Sequence, residues 1–241
     1  MPTIAIIGAG PPLGCAIGRT FAEKGGFDVA LVARGEAQLS AMTEAFARAG
    51  IQAAAFPADV TDRPALEDAL SQAEQRFGPI DVLEYSPAPS LADLARHPLV
   101  SAVDLTVEDA LPALETSFFG AITAIGQVLP GMLERGSGTI LATTGAGSGP
   151  MVVPQVANAN VANAALRNWL LSLHDSVTDR GVHVAHIALG ARIGSGRPAS
   201  EPDAIAALYW TAHLERTAPE IFHYDLADPS DTELADKFRT S

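Results

Sequence analysis

The sequence predicts an α/β fold: a three-layer, doubly wound parallel sheet of about seven strands, in a single domain. Three observations lead there. Short apolar runs alternate with segments of helical hydrophobic period along the chain, the pattern of successive β-α-β units with right-handed crossovers. The first apolar run passes straight into a Gly-rich turn that opens a helix. No repeat, low-complexity tract or linker divides the 241 residues, a length that suits one α/β domain. Hydrophobic residues make up 48% of the chain, enough for a large core.

Taken in order, residues 4–7 (Ile-Ala-Ile-Ile) form a strand buried on both faces. Leu13, Ala16, Ile17, Thr20 and Phe21 follow at helical spacing and stop at Gly25-Gly26. A second strand over 29–33 leads to a helix carrying Leu39, Met42, Phe46 and Ala49, closed by Gly50. The third strand spans 51–56. Thr61 or Asp62 then caps a helix with Leu66, Leu70, Ala73 and Phe77, stopped by Gly78-Pro79. Residues 80–85 are the fourth strand. A Pro- and Ala-rich loop is expected from Ser86 to about Leu105, and Thr106 caps a long helix to Arg135, kinked near Pro130. A fifth strand over 139–143, a helix over about 155–178, a sixth strand over 182–189, a helix from Pro202 to about Glu215 and a short strand over 221–224 complete the fold. An acidic tail follows from about residue 226.

Composition narrows the partners. With 15 basic against 28 acidic residues the net charge is −13, which repels nucleic acid and anionic membrane. No run of 18 apolar residues is present, and no charged leader precedes the first strand. Cys15 is the only cysteine. It allows no internal disulfide and no Cys-based zinc site, no metal is expected, and the chain fits a reducing cytoplasm.

In a doubly wound sheet, ligands bind at the carboxyl ends of the strands. The first turn places Gly8, Gly10 and Gly14 there, ahead of a helix N-terminus whose N–H groups suit a phosphate. Arg34 stands just past the second strand, where the adenosine ribose of a dinucleotide would lie. An acid there would accept from a ribose 2′-OH, whereas a guanidinium binds a 2′-phosphate in bidentate fashion. The tip reads Ala33-Arg34-Gly35, so NADP(H) is expected in preference to NAD(H). Asp59, with Val60 after it, follows the third strand and can accept from an adenine amino group, cap the next turn, or both.

Together these elements resemble the short-chain dehydrogenase/reductase family over essentially the whole chain. The resemblance rests on the Gly-rich turn, Val-Ala-Arg34, Asp59-Val60, Gly78-Pro-Ile-Asp81-Val-Leu83, Phe119-Gly120 and Val128-Leu-Pro-Gly-Met132. A divergent bacterial subgroup also has the Gly-Ala-Gly-Pro turn and the motif read here as Pro202-Asp-Ala-Ile-Ala-Ala-Leu-Tyr209-Trp210. The resemblance implies a Rossmann fold and a nicotinamide cofactor. Gly8 and Gly14 match the ends of the family's turn, while Pro12 replaces its middle glycine and Leu13 still offers an N–H. Ser86 and Ala88 take the place of residues in the family's Asn-Asn-Ala-Gly. Ile193 offers a backbone group for the nicotinamide carboxamide, and Ser195 a hydroxyl in place of the family's threonine.

The resemblance breaks at the catalytic tetrad of Asn, Ser, Tyr and Lys. The aligned positions read Ser117, Ala146 (give or take one residue), Ala159 and Asn163. Reduction of a carbonyl needs a proton donor within hydrogen-bond reach, and alanine is none. Tyr85 is a weak candidate for a displaced acid, with a ring that merely closes the pocket as the alternative. Glu84 is unusual in a buried strand and is read as hydrogen-bonded or functional. Asn158, Asn160 and Asn163 offer a polar lining. His183 and His186 face opposite sides of a strand, and His97 is read as a surface residue. The expected function is thus an NADP(H)-binding protein and oxidoreductase with a displaced proton donor. The alternatives are a non-redox cyclase, isomerase or dehydratase, or a catalytically silent binding protein. A small-molecule ligand is expected, and a homodimer or homotetramer through the two long helices.

Overall fold

The computed structural model describes residues 1–225, and the acidic tail lies outside the described residues. Seven strands form one sheet in the order β3-β2-β1-β4-β5-β6-β7. They are β1 (Thr3–Ile7), β2 (Asp28–Ala33), β3 (Ala53–Pro57), β4 (Ile80–Tyr85), β5 (Gly138–Gly145), β6 (Val182–Ala191) and β7 (Glu220–Asp225). Every pair is parallel. Helices α1 (Leu13–Gly25) and α2 (Glu36–Arg48) cover one face. Helix α3 (Arg63–Phe77) lies on the other. The central strands are buried on both sides: all five residues of β1 are buried, which explains their unbroken apolar run. The order reverses at β1, between β2 and β4, and opens a crevice at the carboxyl ends of these strands.

Two segments differ from the sequence reading. The stretch after β4 is not all loop: α4 (Leu91–Arg96) begins with a capping box in which Ser90 and Asp93 satisfy each other's backbone N–H groups. The departure from regular helix geometry lies upstream of Pro130. Helix α5 (Val107–Ala113), capped reciprocally by Thr106 and Asp109, passes into a π-helical turn over Leu114–Phe119. Helix α6 (Gly120–Arg135) then runs through Pro130 without interruption. By length and composition the stretch Val107–Arg135 would suffice to cross a membrane. Its buried residues Ala121, Ala124, Ile125, Val128 and Met132 instead belong to the core cluster against the sheet.

The π turn has a partner on β4. The Gly120 N–H bonds the Glu115 carbonyl, and the Thr116 carbonyl accepts the Tyr85 hydroxyl at 2.5 Å. Gly120 makes this possible, because a Cβ there would overlap the Tyr85 oxygen and come within 3.0 Å of the Val60 carbonyl. Tyr85→Phe should therefore cost about 1–2 kcal/mol in urea denaturation, the cost of a buried carbonyl left unpaired. An unchanged midpoint would mean that water replaces the hydroxyl.

Helices α7 (Ala157–Val177) and α8 (Pro202–Glu215) complete the layers. α7 packs on the face shared with α3 and α6, and α8 lies beside α1. Asn158 is buried and structural: its side chain accepts from Val100 N–H (3.1 Å) and donates to the Pro98 carbonyl (3.0 Å), tying the long loop to the start of α7.

Candidate nucleotide site

The turn after β1 is built by its glycines. Gly8 has φ +83°, a conformation that glycine adopts without strain. The N–H groups of Gly8 and Ala9 both donate to the Val32 carbonyl (2.9 and 3.1 Å), and Ser86 N–H donates to the Ile7 carbonyl (2.9 Å). The turn is thus held against both neighbouring strands. Gly14 lets the first turn of α1 approach Ala9, and Gly18 admits the Phe46 ring and Val29. Gln38, which the sequence reading missed, donates from its amide to the Ala9 carbonyl at 2.9 Å.

Pro12 caps α1 without a side-chain bond, and the first helical bond runs from Ala16 N–H to the Pro12 carbonyl. The amides of Leu13, Gly14 and Cys15 precede that bond and have no protein acceptor among the described residues. They form a cluster of free N–H groups at the positive end of the helix dipole, beside the crevice. Gly10 leaves the approach to the turn open, since a Cβ there would meet only the Gly8 carbonyl at 3.9 Å.

Arg34 and Asp59 come together as expected, but each has a protein partner. Asp59 Oδ1 accepts from the backbone and hydroxyl of Thr61 (2.9 and 2.8 Å), so it does cap the turn; its Oδ2 faces Arg34 at 3.7 Å. An open hollow of about 370 Å³ is lined by Arg34, Pro57, Ala58, Asp59 and Ala65. The guanidinium is engaged by Asp93 of α4 through two parallel bonds, at 3.0 and 2.5 Å. That bond raises the Arg34 pKa, and the Arg34 bond in turn holds Asp93 well below the ordinary carboxylate range. The Ser90-x-x-Asp93 pattern would have revealed the helix that carries this acid.

Ser86 sits at the end of β4, Ala88 just beyond it, and Ile193 and Ser195 follow β6 at the same carboxyl edge of the sheet. Ser86 donates to Glu84 Oε2 (3.0 Å) and Thr143 to Glu84 Oε1 (3.2 Å), while Thr143 also bonds the Tyr209 hydroxyl (2.7 Å). Glu84 is wholly buried, and burial pushes its pKa up to about 8 against the pull of the two hydroxyls. Tyr85 does not line this edge. It is fully buried on the α6 side and its hydroxyl is spent on Thr116, so it is no candidate acid. Burial also raises its pKa far out of reach.

The four tetrad-aligned positions fall as follows. Ser117 lies in the π turn, Ala146 begins a 3₁₀ turn after β5, and Ala159 and Asn163 lie in the first turns of α7. Gly145 faces Asn163, whose amide would be 3.7 Å from a Cβ built there. Asn160 is used structurally, donating to the Val153 carbonyl at 2.8 Å. Gly190 brings Tyr224 of β7 close to Ala146. Tyr224, also missed by sequence reasoning, is 38% exposed, whereas Tyr85 and Tyr209 are wholly buried.

Beneath this edge runs a buried polar chain. His186 Nε2 meets the Thr144 hydroxyl at 2.7 Å, Thr144 meets Ser148 at 2.6 Å, and His186 Nδ1 meets Glu220 at 2.9 Å. Arg167 of α7 holds Glu220 with two bonds. Burial lowers the His186 pKa, so a neutral ring donating from Nδ1 to Glu220 and accepting at Nε2 satisfies every partner. Burial pushes the Glu220 carboxyl up, and the Arg167 and His186 bonds outweigh it. His183, on the other side of the strand, packs against His174. His97 ends α4 at the surface. No group of three His, Cys, Asp or Glu side chains is placed to hold a metal ion among the described residues.

This arrangement of sheet, Gly-rich turn and crevice defines a Rossmann-type α/β fold. The model of the short chain dehydrogenase family matches residues 2–193, and the chain belongs to that family. Among curated proteins it is similar to 2,3-dihydro-2,3-dihydroxybenzoate dehydrogenase of Bacillus subtilis (30% identity over 66% of this chain and 57% of that one). It is also similar to 2-(S)-hydroxypropyl-CoM dehydrogenase 3 of Xanthobacter autotrophicus (29% over 80% and 72%). The chain spans little more than half the length of the first relatives it matches. Solved structures of like fold include an actinorhodin polyketide ketoreductase with NADPH (TM-score 0.79, 20% identity, 92% of this chain and 95% of that one). Another is L-sorbose reductase from Gluconobacter frateurii with NADPH and L-sorbose (TM-score 0.78, 18% identity, 92% and 95%).

Proposed function

We propose that this protein is an oxidoreductase that binds NADP(H) in preference to NAD(H) and reduces a small carbonyl substrate with a displaced proton donor. The observation that carries the reading is the cluster of free amides at Leu13, Gly14 and Cys15 in the crevice that also presents Arg34 and Asp59. These amides would hold the pyrophosphate, Arg34 the 2′-phosphate and Asp59 the adenine edge, with Val60 beside it. Ser86, Ala88, Ile193 and Ser195 would frame the nicotinamide, which supplies the hydride when bound. The relatives and fold neighbours named above, several of them dehydrogenases or reductases, support the class.

The tetrad-aligned residues Ser117, Ala146, Ala159 and Asn163 include no proton donor of suitable pKa. Of the three tyrosines, Tyr224 alone is accessible, and its ring lies near Ala146. Burial and the Glu220 charge raise its pKa, which keeps the phenol protonated and able to donate. We assign it the donor's place. The exposed apolar residues Val107, Leu111 and Ile122 on one long helical stretch and Val161 on the other support assembly as a dimer or tetramer. The lone Cys15 supports work in the reducing cytoplasm.

A thermal-shift series with NADPH, NADP, NADH and NAD tests the cofactor. At a hundredfold excess over Kd, NADPH should raise Tm by about 5–10 °C, and Arg34→Ala should erase its advantage over NADH. No shift with any of the four overturns the reading. Falling nicotinamide absorbance with a carbonyl panel tests the chemistry. Tyr224→Phe should reduce that rate about 100-fold or more while leaving the NADPH shift in place.

A further inference from the structure

Arg34 does not wait with a free guanidinium. Its two terminal nitrogens meet the two oxygens of Asp93 in the fork-to-fork geometry that a phosphate would adopt. Asp93 is held in that place by other donors as well: Ser90 N–H at 2.9 Å, the Ser90 hydroxyl at 2.7 Å and Arg96 at 2.8 Å. Its position is therefore set by the cap of α4 and does not depend on Arg34 alone. A second carboxylate, Asp59, stands 3.7 Å from the same guanidinium. Around Arg34 the charges are two carboxylates against Arg34 and Arg96, so the subsite offers a phosphate no excess of positive charge. Helix α4 itself has no buried side chain, and this ion pair joins it to β2. An element so thinly packed moves at little cost.

We propose that Asp93 occupies the 2′-phosphate subsite of Arg34 and sets the selectivity between phosphorylated and unphosphorylated dinucleotides. A 2′-phosphate must displace the Asp93 carboxylate to reach the fork. A plain ribose 2′-OH brings no charge that must enter the fork, so it leaves the Arg34–Asp93 pair in place. Asp93 thus narrows a preference that Arg34 alone would make wide. The inference rests on the nucleotide reading above.

Titration calorimetry of the full chain with 2′-AMP and 5′-AMP separates the two. Asp93→Asn keeps an acceptor for the Ser90 cap and removes the charge. It should tighten 2′-AMP about tenfold and leave 5′-AMP within about twofold, while Arg34→Ala abolishes the discrimination. Asp93→Ala, which also removes the carboxylate half of the capping box and leaves the Ser90 hydroxyl its backbone N–H, should tighten 2′-AMP in the same direction. If 5′-AMP binds but Asp93→Asn binds 2′-AMP no more tightly than the wild type, this inference is overturned and the nucleotide reading stands. If neither nucleotide binds any form, the nucleotide reading itself fails, and this inference with it.

Discussion

Replacing Gly8 by alanine should lower the free energy of unfolding by about 3–5 kcal/mol and abolish nucleotide binding, for two separable reasons. The backbone at Gly8 has φ +83°, which costs an L side chain about 1–2 kcal/mol. In addition, a Cβ there would lie 2.5 Å from Pro87 N and 2.8 Å from the Ser86 carbonyl carbon. Those are backbone atoms and cannot rotate aside. Relief would require β1 and β4 to part where Ser86 N–H meets the Ile7 carbonyl. Gly26 supplies the comparison: φ is +67° and a Cβ there meets nothing within 4 Å, so Gly26→Ala should show the conformational cost of about 1–2 kcal/mol by itself. Urea denaturation of both variants would decide. Equal losses would mean that the close approach of Pro87 contributes nothing.

Glu84→Gln should stabilise the protein by about 4 kcal/mol at pH 8 and change little at pH 4. The buried carboxyl has its pKa pushed up to about 8, so the folded state holds a proton that the unfolded chain releases near 4.5. A folded pKa above the unfolded one gives stability that is fully present below about 4.5 and is lost as pH rises to about 8. Glutamine has no proton to lose. Its carbonyl can accept from Ser86, and its amide can donate to Thr143, which in turn bonds Tyr209. Urea midpoints for both forms from pH 4 to 9 would show the wild type falling away from the variant. Parallel curves would sink the assignment and place the ionised form in the core at neutral pH. Because Ser86 borders the crevice, ionisation of Glu84 above pH 8 should also weaken NADPH binding, an effect the Gln variant should lack.

Much of this molecule was legible before any coordinates. The apolar run of residues 4–7, the glycines at 8 and 14, and the Gly78-Pro79 stop report local requirements, and local requirements leave marks at fixed spacing. The helix cap at Thr106 and the burial of Glu84 were readable for the same reason. Helix α4 is masked in the sequence by the Pro and Ala around it, and only its Ser90-x-x-Asp93 cap marks it. The π turn carries no comparable mark: Tyr85 on β4 and the glycine at 120 stabilise it from outside the segment. The side of the sheet that Tyr85 takes is not marked in the sequence, because a strand residue's face depends on register against its neighbours.

The parallel α/β sheet, the Gly-rich turn after β1 and Arg34 at the tip of β2 are all written in the chain's local pattern. These follow from periodicity, glycine conformation and the handedness of crossovers, which act over a few residues or along one unit. What those residues meet is set by the packing of distant segments. Arg34 and Asp93 are 59 positions apart, and His186 and Glu220 are 34 apart. No pattern in the chain marks such pairs, because an ion pair between distant segments needs charge and proximity, and only the packed sheet supplies proximity.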